Sequence, residues 1–211
     1  CSERSPSCWI AERAAMSVLE GRRVVLRPLG AGDFAAYQEV RRRNVEWLTK
    51  WEPRRLAGQP DPAESFDAFA ARCSARQRER QLGTGFGFGI FVNGVFSGEI
   101  NLSAVQRGPM QGGNIGYWVD ESQAGNAYCP ESVVVMLRFA FEDLGLHRLQ
   151  ICIVPRNGAS RRVVEKLGIR CEGVAVGLLQ INGEWEDHMQ FAMVAEDWAM
   201  RGTELMRAWV L

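Results

Sequence analysis

Asn157-Gly158-Ala159-Ser160-Arg161-Arg162-Val163-Val164-Glu165-Lys166-Leu167-Gly168-Ile169 is the stretch on which the reading of the chain turns. It reads as a short helix. Asn157 or Ser160 caps its start, because a side-chain oxygen there accepts an N–H that the helix leaves unpaired. Leu167 packs inward and Gly168 ends the helix. Capping accounts for both ends, yet it needs only one of Asn157 and Ser160. Just upstream, residues 149–154 form an apolar run, read as a central strand parallel to its neighbour across a helix. That helix covers 130–144, with Pro130 in its first turn and Gly145 at its C-terminal end. It is entered through Gly125-Asn126-Ala127-Tyr128-Cys129-Pro130-Glu131. Small residues between a strand and a helix N-terminus let successive N–H groups face outward. The helix dipole adds partial positive charge, so a pyrophosphate can bind there without many lysines.

Farther out the pattern is a meander. Residues 86–92 and 95–103 are strands joined by Asn93-Gly94, a strong hairpin signal because a type I′ turn needs positive φ at both positions. Residues 114–120 form another strand. Residues 173–181 and 184–194 repeat the hairpin across Asn182-Gly183. At the N-terminal side, residues 22–29 read as a strand ended by Pro28. Asp33 suits the N-cap of a helix over 34–43, residues 44–53 form a tryptophan-rich loop or short helix, and residues 62–81 have helical spacing. The order predicts an α+β fold: a single domain over 21–211, with a mixed, mostly antiparallel central sheet flanked by helices in three α/β/α layers. Residues 1–20 read as an irregular tail, with Met16 a candidate start.

The chain has 211 residues, 25 Lys plus Arg and 25 Asp plus Glu. A formal net charge of zero gives no long-range attraction to nucleic acid, and none is expected to bind directly. Arg41-Arg42-Arg43 reads as a solvated helix face. The six cysteines form no Cys-x-x-Cys pair, so neither a zinc site nor another metal site is expected, and scattered thiols fit a reducing cytoplasm. No apolar run reaches the roughly 20 residues that span a bilayer, and no membrane partner is expected. Gly83-Thr84-Gly85-Phe86-Gly87-Phe88-Gly89 fails the Gly-x-Gly-x-x-Gly spacing at Phe88. It reads as a strand whose small residues permit close packing. Met136, Phe139 and Phe141 read as core, and His147 as a dipole contact at a helix end.

Two stretches together resemble the GNAT acetyltransferases. Asn157-x-Ala159-Ser160, followed by Glu165-Lys166-Leu167-Gly168-Ile169, is similar to the motif after that family's fifth strand. Gly125-Asn126-Ala127-Tyr128-Cys129-Pro130-Glu131-Ser132 is similar to its pyrophosphate loop. Asn44-x-x-x-Leu48-x-x-Trp51-Glu52-Pro53 and Ile181-Asn182-Gly183-Glu184-Trp185-Glu186-Asp187-His188 resemble the RimJ branch, which acetylates ribosomal-protein N-termini. The likeness spans about residues 19–198. The loop departs from the family pattern. Ala124 stands where Arg or Gln is common, Asn126 where a basic residue is, and Ala127 where glycine is. An alanine Cβ would crowd a phosphate if positive φ were needed there.

The resemblance implies acetyl-CoA as co-substrate, a protein N-terminus as acceptor, and a monomer or homodimer. It implies that Tyr117, Trp118 and Val119 offer backbone groups to the pantetheine arm. Gly125, Asn126, Ala127, Tyr128 and Cys129 hold the pyrophosphate, Asn157 contacts pantetheine, and Ser160 hands a proton to the departing thiolate. For the base, Glu99, Glu52, Asp187 and His188 stay open, with Glu99 and Asp187 the leading pair. Trp47, Trp51, Glu52, Asn101, Trp185 and His188 are the expected acceptor-side residues. Packing is an equal account of the tryptophans. Two other functions stay open. One is acetylation of a small amine such as a polyamine, an amino acid or an antibiotic. The other is a non-catalytic acyl-CoA-binding ribosome-assembly factor.

Overall fold

The computed structural model describes residues 18–56 and 58–211. Most of the expected tail, Met16 included, lies outside the described residues. The strands are β1 (Leu19–Glu20), β2 (Val24–Arg27), β3 (Phe86–Val92), β4 (Val95–Gln106), β5 (Gly112–Val119), β6 (Arg148–Ile153), β7 (Arg170–Ile181) and β8 (Glu184–Val194). They form one sheet in the order β1-β2-β3-β4-β5-β6-β8-β7, antiparallel at every junction except β5–β6. The helices are α1 (Phe34–Arg43), α2 (Val45–Thr49), α3 (Phe66–Leu82), α4 (Tyr128–Arg138), α5 (Gly158–Lys166) and α6 (Ala195–Trp209). Helices α1 and α3 cover one face of the sheet, and α4 and α6 the other. The expected α+β fold with a mixed sheet between helices is borne out.

Each face has its own apolar cluster. On one, Phe86, Phe88, Ile90, Ile100 and Leu102 pack against Val133, Val134, Met136 and Leu137 of α4. On the other, Phe91 and Phe96 meet Tyr37, Val40 and Phe69. Helix α4 is apolar nearly all round because it is buried all round, from Pro130 to Leu137. It gives way to a π-type turn over Phe139–Asp143, where the Leu144 N–H reaches back to the Phe139 carbonyl at 3.0 Å. The single helix expected over 130–144 is therefore two pieces. Helix α6 was not foreseen, because it follows β8 without a Gly or Pro between them.

A β-bulge decides which residues face α1 and α3. Gly98 pairs with Ile90, yet Phe96 pairs with Phe91, so Ser97 is an extra residue in β4. The alternation flips there. Phe96 joins the α1/α3 cluster, while Ile100 and Leu102 join the α4 cluster. Glu99 and Asn101, alternating with the latter pair, turn to the α1/α3 face. Gly98 is required, since its φ is 156° and a Cβ would collide with the Trp118 carbonyl oxygen.

The arginine run is a solvated face only in part. Arg41 forms a fork with the Glu52 carboxylate at 2.6 and 2.7 Å, and Arg43 binds the buried Asp120. Arg42 and Arg43 are both exposed, Arg42 paired with Glu64 and Arg43 also with Glu39. Asp33 stands at the start of α1 without capping it. Its carboxylate instead takes Arg27 and the Gly30 N–H.

Candidate active site

The site begins where the one parallel pair comes apart. β5 and β6 are in register only from Gly112–Arg148 to Asn114–Gln150. Beyond Ile115 and Ile151 they diverge, and a cleft of about 590 Å³ opens between them. Backbone N–H and C=O groups on that edge of β5 have no strand to pair with. Such groups need partners when covered.

The cleft runs to the loop ahead of α4. Gly125 has φ 85° and Ala127 has φ 65°, so two left-handed residues bracket Asn126. Among the described residues, the N–H groups of Gly125, Asn126, Ala127, Tyr128 and Cys129 donate to nothing. They form a nest at the positive end of a buried helix. The alanine at a glycine position sits in the left-handed region. Two anchors hold the loop. Glu131, fully buried, accepts from the Arg23 and Val24 N–H groups at 2.5 and 3.0 Å and from the Arg23 guanidinium at 2.8 Å. The same guanidinium donates to the Asn126 carbonyl at 3.0 Å, and so brings a cation to the loop. On the other side, Asp120 accepts from Asn44 Nδ2 at 2.8 Å and from the Ser122 hydroxyl at 2.9 Å, besides Arg43. Asn44 Oδ1 accepts the Glu121 N–H at 2.8 Å. Burial pushes the Asp120 carboxyl up, but Arg43, Asn44 and Ser122 outweigh it and bring it to about 2.

At the start of α5, Asn157 Oδ1 accepts the Ser160 N–H at 3.1 Å, so Asn157 is the cap. The Ser160 hydroxyl is thereby released to donate to Tyr117 Oη at 3.1 Å, and Tyr117 donates to the Ser160 carbonyl at 3.2 Å. Burial raises the Tyr117 phenol well above its ordinary value, which the Ser160 contact only partly offsets. It stays protonated at any physiological pH. Burial likewise pushes the Cys129 thiol up to about 12.

The structure brings Tyr117, Trp118, Val119, Gly125, Ala127, Tyr128, Cys129, Asn157, Ser160, Trp47, Trp51, Glu52, Asn101 and His188 to this one cleft. Four of the expected residues are elsewhere. The Asn126 side chain turns out to the Gln123 carbonyl. Asp187 is exposed and accepts the Gly177 N–H at 2.8 Å. Trp185 is 70% exposed. Glu99 is buried behind the cleft, where it accepts from Arg72 at 2.7 Å and from Trp118 Nε1 at 3.2 Å. His188 is 2% exposed, and its Nδ1 lies 2.9 Å from the Glu186 carbonyl oxygen. That oxygen only accepts, so in the neutral ring Nδ1 carries the proton and the lone pair lies on Nε2. Sequence reasoning missed Arg162 and Lys166, which line the cleft on α5. Their spacing of four, on the helix beside the loop, was the available signal. Among the described residues, no group of three His, Cys, Asp or Glu is placed to hold a metal, and no helix is long and apolar enough to cross a membrane.

Residues 23–170 match the acetyltransferase (GNAT) domain. The chain belongs to the GNAT acetyltransferase family. This acetyltransferase takes acetyl-CoA as co-substrate and transfers its acyl group to an amine. It is 30% identical over 182 residues to the probable N-acetyltransferase YjcK of Bacillus subtilis, covering 85% of this chain and 98% of that one. It is 27% identical over 178 residues to the [ribosomal protein uS5]-alanine N-acetyltransferase of Escherichia coli, covering 83% and 90%. Among solved structures, Mycobacterium smegmatis RimJ in complex with CoA-disulfide superposes with a TM-score of 0.82 at 28% identity, covering 91% of this acetyltransferase and 92% of that chain.

Proposed function

We propose that this acetyltransferase modifies the N-terminal α-amine of a protein, with ribosomal proteins the leading class of acceptor, by direct attack of the amine on the acetyl-CoA thioester. The observation that carries this reading is the state of the carboxylates around the acceptor end. Glu52 is held by Arg41 and Glu99 by Arg72, each with at least one short contact. A polyamine needs free carboxylates to meet its several positive charges, and among the described residues lining the cleft the one carboxylate is Glu52, already held by Arg41. Trp47 and Trp51 instead wall an open apolar mouth, which suits a peptide with a single amine. The likeness to the uS5-alanine enzyme runs over most of both chains and favours the same class.

The chain's own groups fit the co-substrate. The unpaired N–H groups of 125–129 suit a pyrophosphate, with Arg23 behind them and Arg162 and Lys166 across the cleft for further phosphate charge. The open edge of β5 at Tyr117, Trp118 and Val119, and the Asn157 amide, suit the amide groups of pantetheine. In the reaction the amine nitrogen bonds to the carbonyl carbon, the C–S bond breaks, and the sulfur leaves as thiolate. Ser160 gives its proton to that thiolate and regains one from solvent, while the Tyr117 phenol keeps its own proton and orients the serine. The proton lost by the amine goes to His188 Nε2, directly or through water. An α-amine ordinarily titrates at about 7.7–8.0, so this base need not be strong.

The test is acetyl-CoA-dependent thiol release with three acceptors: a peptide with a free N-terminal alanine, the same peptide blocked, and spermidine. Release with the free peptide alone is expected. Release with spermidine alone moves the assignment to small amines. Tight acetyl-CoA binding with no release from any acceptor favours the non-catalytic alternative.

A further inference from the structure

A second cavity, of about 410 Å³, lies on the α1/α3 face of the sheet and shares the Asn101 wall with the acetyl-transfer cleft. Gly87 of β3 makes room for it. With no side chain on Gly87, α3 lays Arg72, Arg76 and Arg80, spaced by four, against the strand. A Cβ on Gly87 would fall 2.8 Å from Asn101 Oδ1 and 3.3 Å from Arg76 Cδ. The motif that looked like a failed nucleotide loop is the floor of this cavity.

Its charges do not cancel. Arg72 is paired with Glu99 and Arg76 with Glu79 at 3.3 Å. Arg80 is 3% exposed and has no carboxylate partner among the described residues. It donates through one terminal nitrogen to the Gly87 carbonyl at 2.5 Å, while its Nε, also buried, donates to nothing. Asn101 Oδ1 is likewise buried without a partner. Buried donors left unpaired are costly, the more so on a cation. The cavity is far larger than the roughly 30 Å³ share of one water. One unmatched positive charge, walled by a carboxylate at Glu99, suits a monoanion better than a doubly charged phosphate.

We propose that this cavity seats a carboxylate of the acceptor, an acidic side chain close behind the acetylated amine, gripped by Arg76 and Arg80. This rests on the peptide-acceptor reading above, and it makes that site selective as well as competent. The CoA complex, which cannot react, is titrated by calorimetry with Ala-Glu-Glu-Glu-Ala-Ala amide, with Ala-Gln-Gln-Gln-Ala-Ala amide, and with glutarate. The wild type is expected to prefer the acidic peptide by about tenfold, the size of one net charge-assisted contact. Arg76→Gln and Arg80→Gln should cut the preference below about twofold on the same scale. Arg80 is buried, so its variant counts only if its melting temperature holds; Arg76 is partly exposed and carries the test otherwise. Equal affinity for the two peptides in the wild type, or a preference that survives Arg76→Gln, overturns the seat. If both peptides are then still acetylated with equal KM, the peptide-acceptor reading stands without it. Glutarate bound in an Arg76-dependent way while neither peptide binds keeps a carboxylate seat but removes the peptide. Binding of neither peptide nor glutarate removes the seat.

Discussion

The Ser160 hydroxyl and the Tyr117 phenol are joined at 3.1 Å, with the phenol turned back to the Ser160 carbonyl at 3.2 Å. Asn157 caps α5, so the serine is not needed as a cap and its proton is available. The pair holds one transferable proton, that of the serine, at the place where β5 and β6 part.

Ser160→Ala should lower kcat by about a hundredfold, the low end of what positioned proton transfer supplies, and leave acetyl-CoA affinity within about threefold. Tyr117→Phe should lower kcat less, because the serine remains. Single-turnover kinetics and calorimetry separate the two effects. Equal turnover of Ser160→Ala and wild type would remove the serine from the chemistry.

Ala127→Gly should stabilise the protein by about 0.5–1 kcal/mol, since φ is 65° at a residue with a Cβ. Acetyl-CoA affinity should hold or rise. Ala127→Val should do the reverse, a β-branched residue being worse in that region. Thermal melts with and without acetyl-CoA check both. A glycine variant less stable than the wild type would show that the loop does not hold the described conformation.

Asp120 predicts an acid limb in stability. Its folded-state pKa of about 2 lies below the ordinary value of about 3.9, so its stabilising effect is present above pH 4 and fades as pH falls toward 2. Asp120→Asn should lose about 1–3 kcal/mol at pH 7, because Arg43 loses its buried partner. It should also flatten the pH dependence between 4 and 2. Parallel melting curves for the two proteins over that range would disprove the assignment.

Cys129 should resist alkylation. With its pKa pushed up to about 12 by burial, it holds almost no thiolate at pH 8. Iodoacetamide should label the exposed Cys171 well before Cys129. Peptide mapping by mass spectrometry reads this directly. Labelling of Cys129 ahead of Cys171 in the folded protein would contradict the raised thiol.

Much of the fold was legible because its signals are local. Asn93 and Asn182 take φ 50° and 49°, as their Asn-Gly hairpins require. Gly145 and Gly168, at 60° and 58°, end helical segments as expected. The helix N-terminus at Ala127 follows from small residues next to an apolar run. What was not legible depends on partners far apart in sequence. Asp120 meets Asn44 from 76 positions away, and Glu99 meets Arg72 from 27. Nothing near Glu99 marks it as already neutralised, so it read as a free base. The bulge at Ser97 could not be seen either, and it is what turns Glu99 and Asn101 to their face. The arginine run read as wholly solvated because Glu52, Glu64 and Asp120, which pair with it, come from three separate segments.

The fork between β5 and β6 bears on how such a protein can change over time. Much of what it offers a ligand is main chain: the open edge of a strand and five amide groups ahead of a helix. Main-chain groups are the same whatever the side chain, so drift along these segments erodes the site slowly. Pressure falls instead on the few positions that hold the backbone in shape, among them Gly98, Asn44, Asp120 and Glu131. Two proteins of this shape can therefore share a co-substrate while differing at most of their residues. The acceptor, which we propose meets side chains such as Trp47, Trp51 and the arginines of α3, is free to diverge much faster.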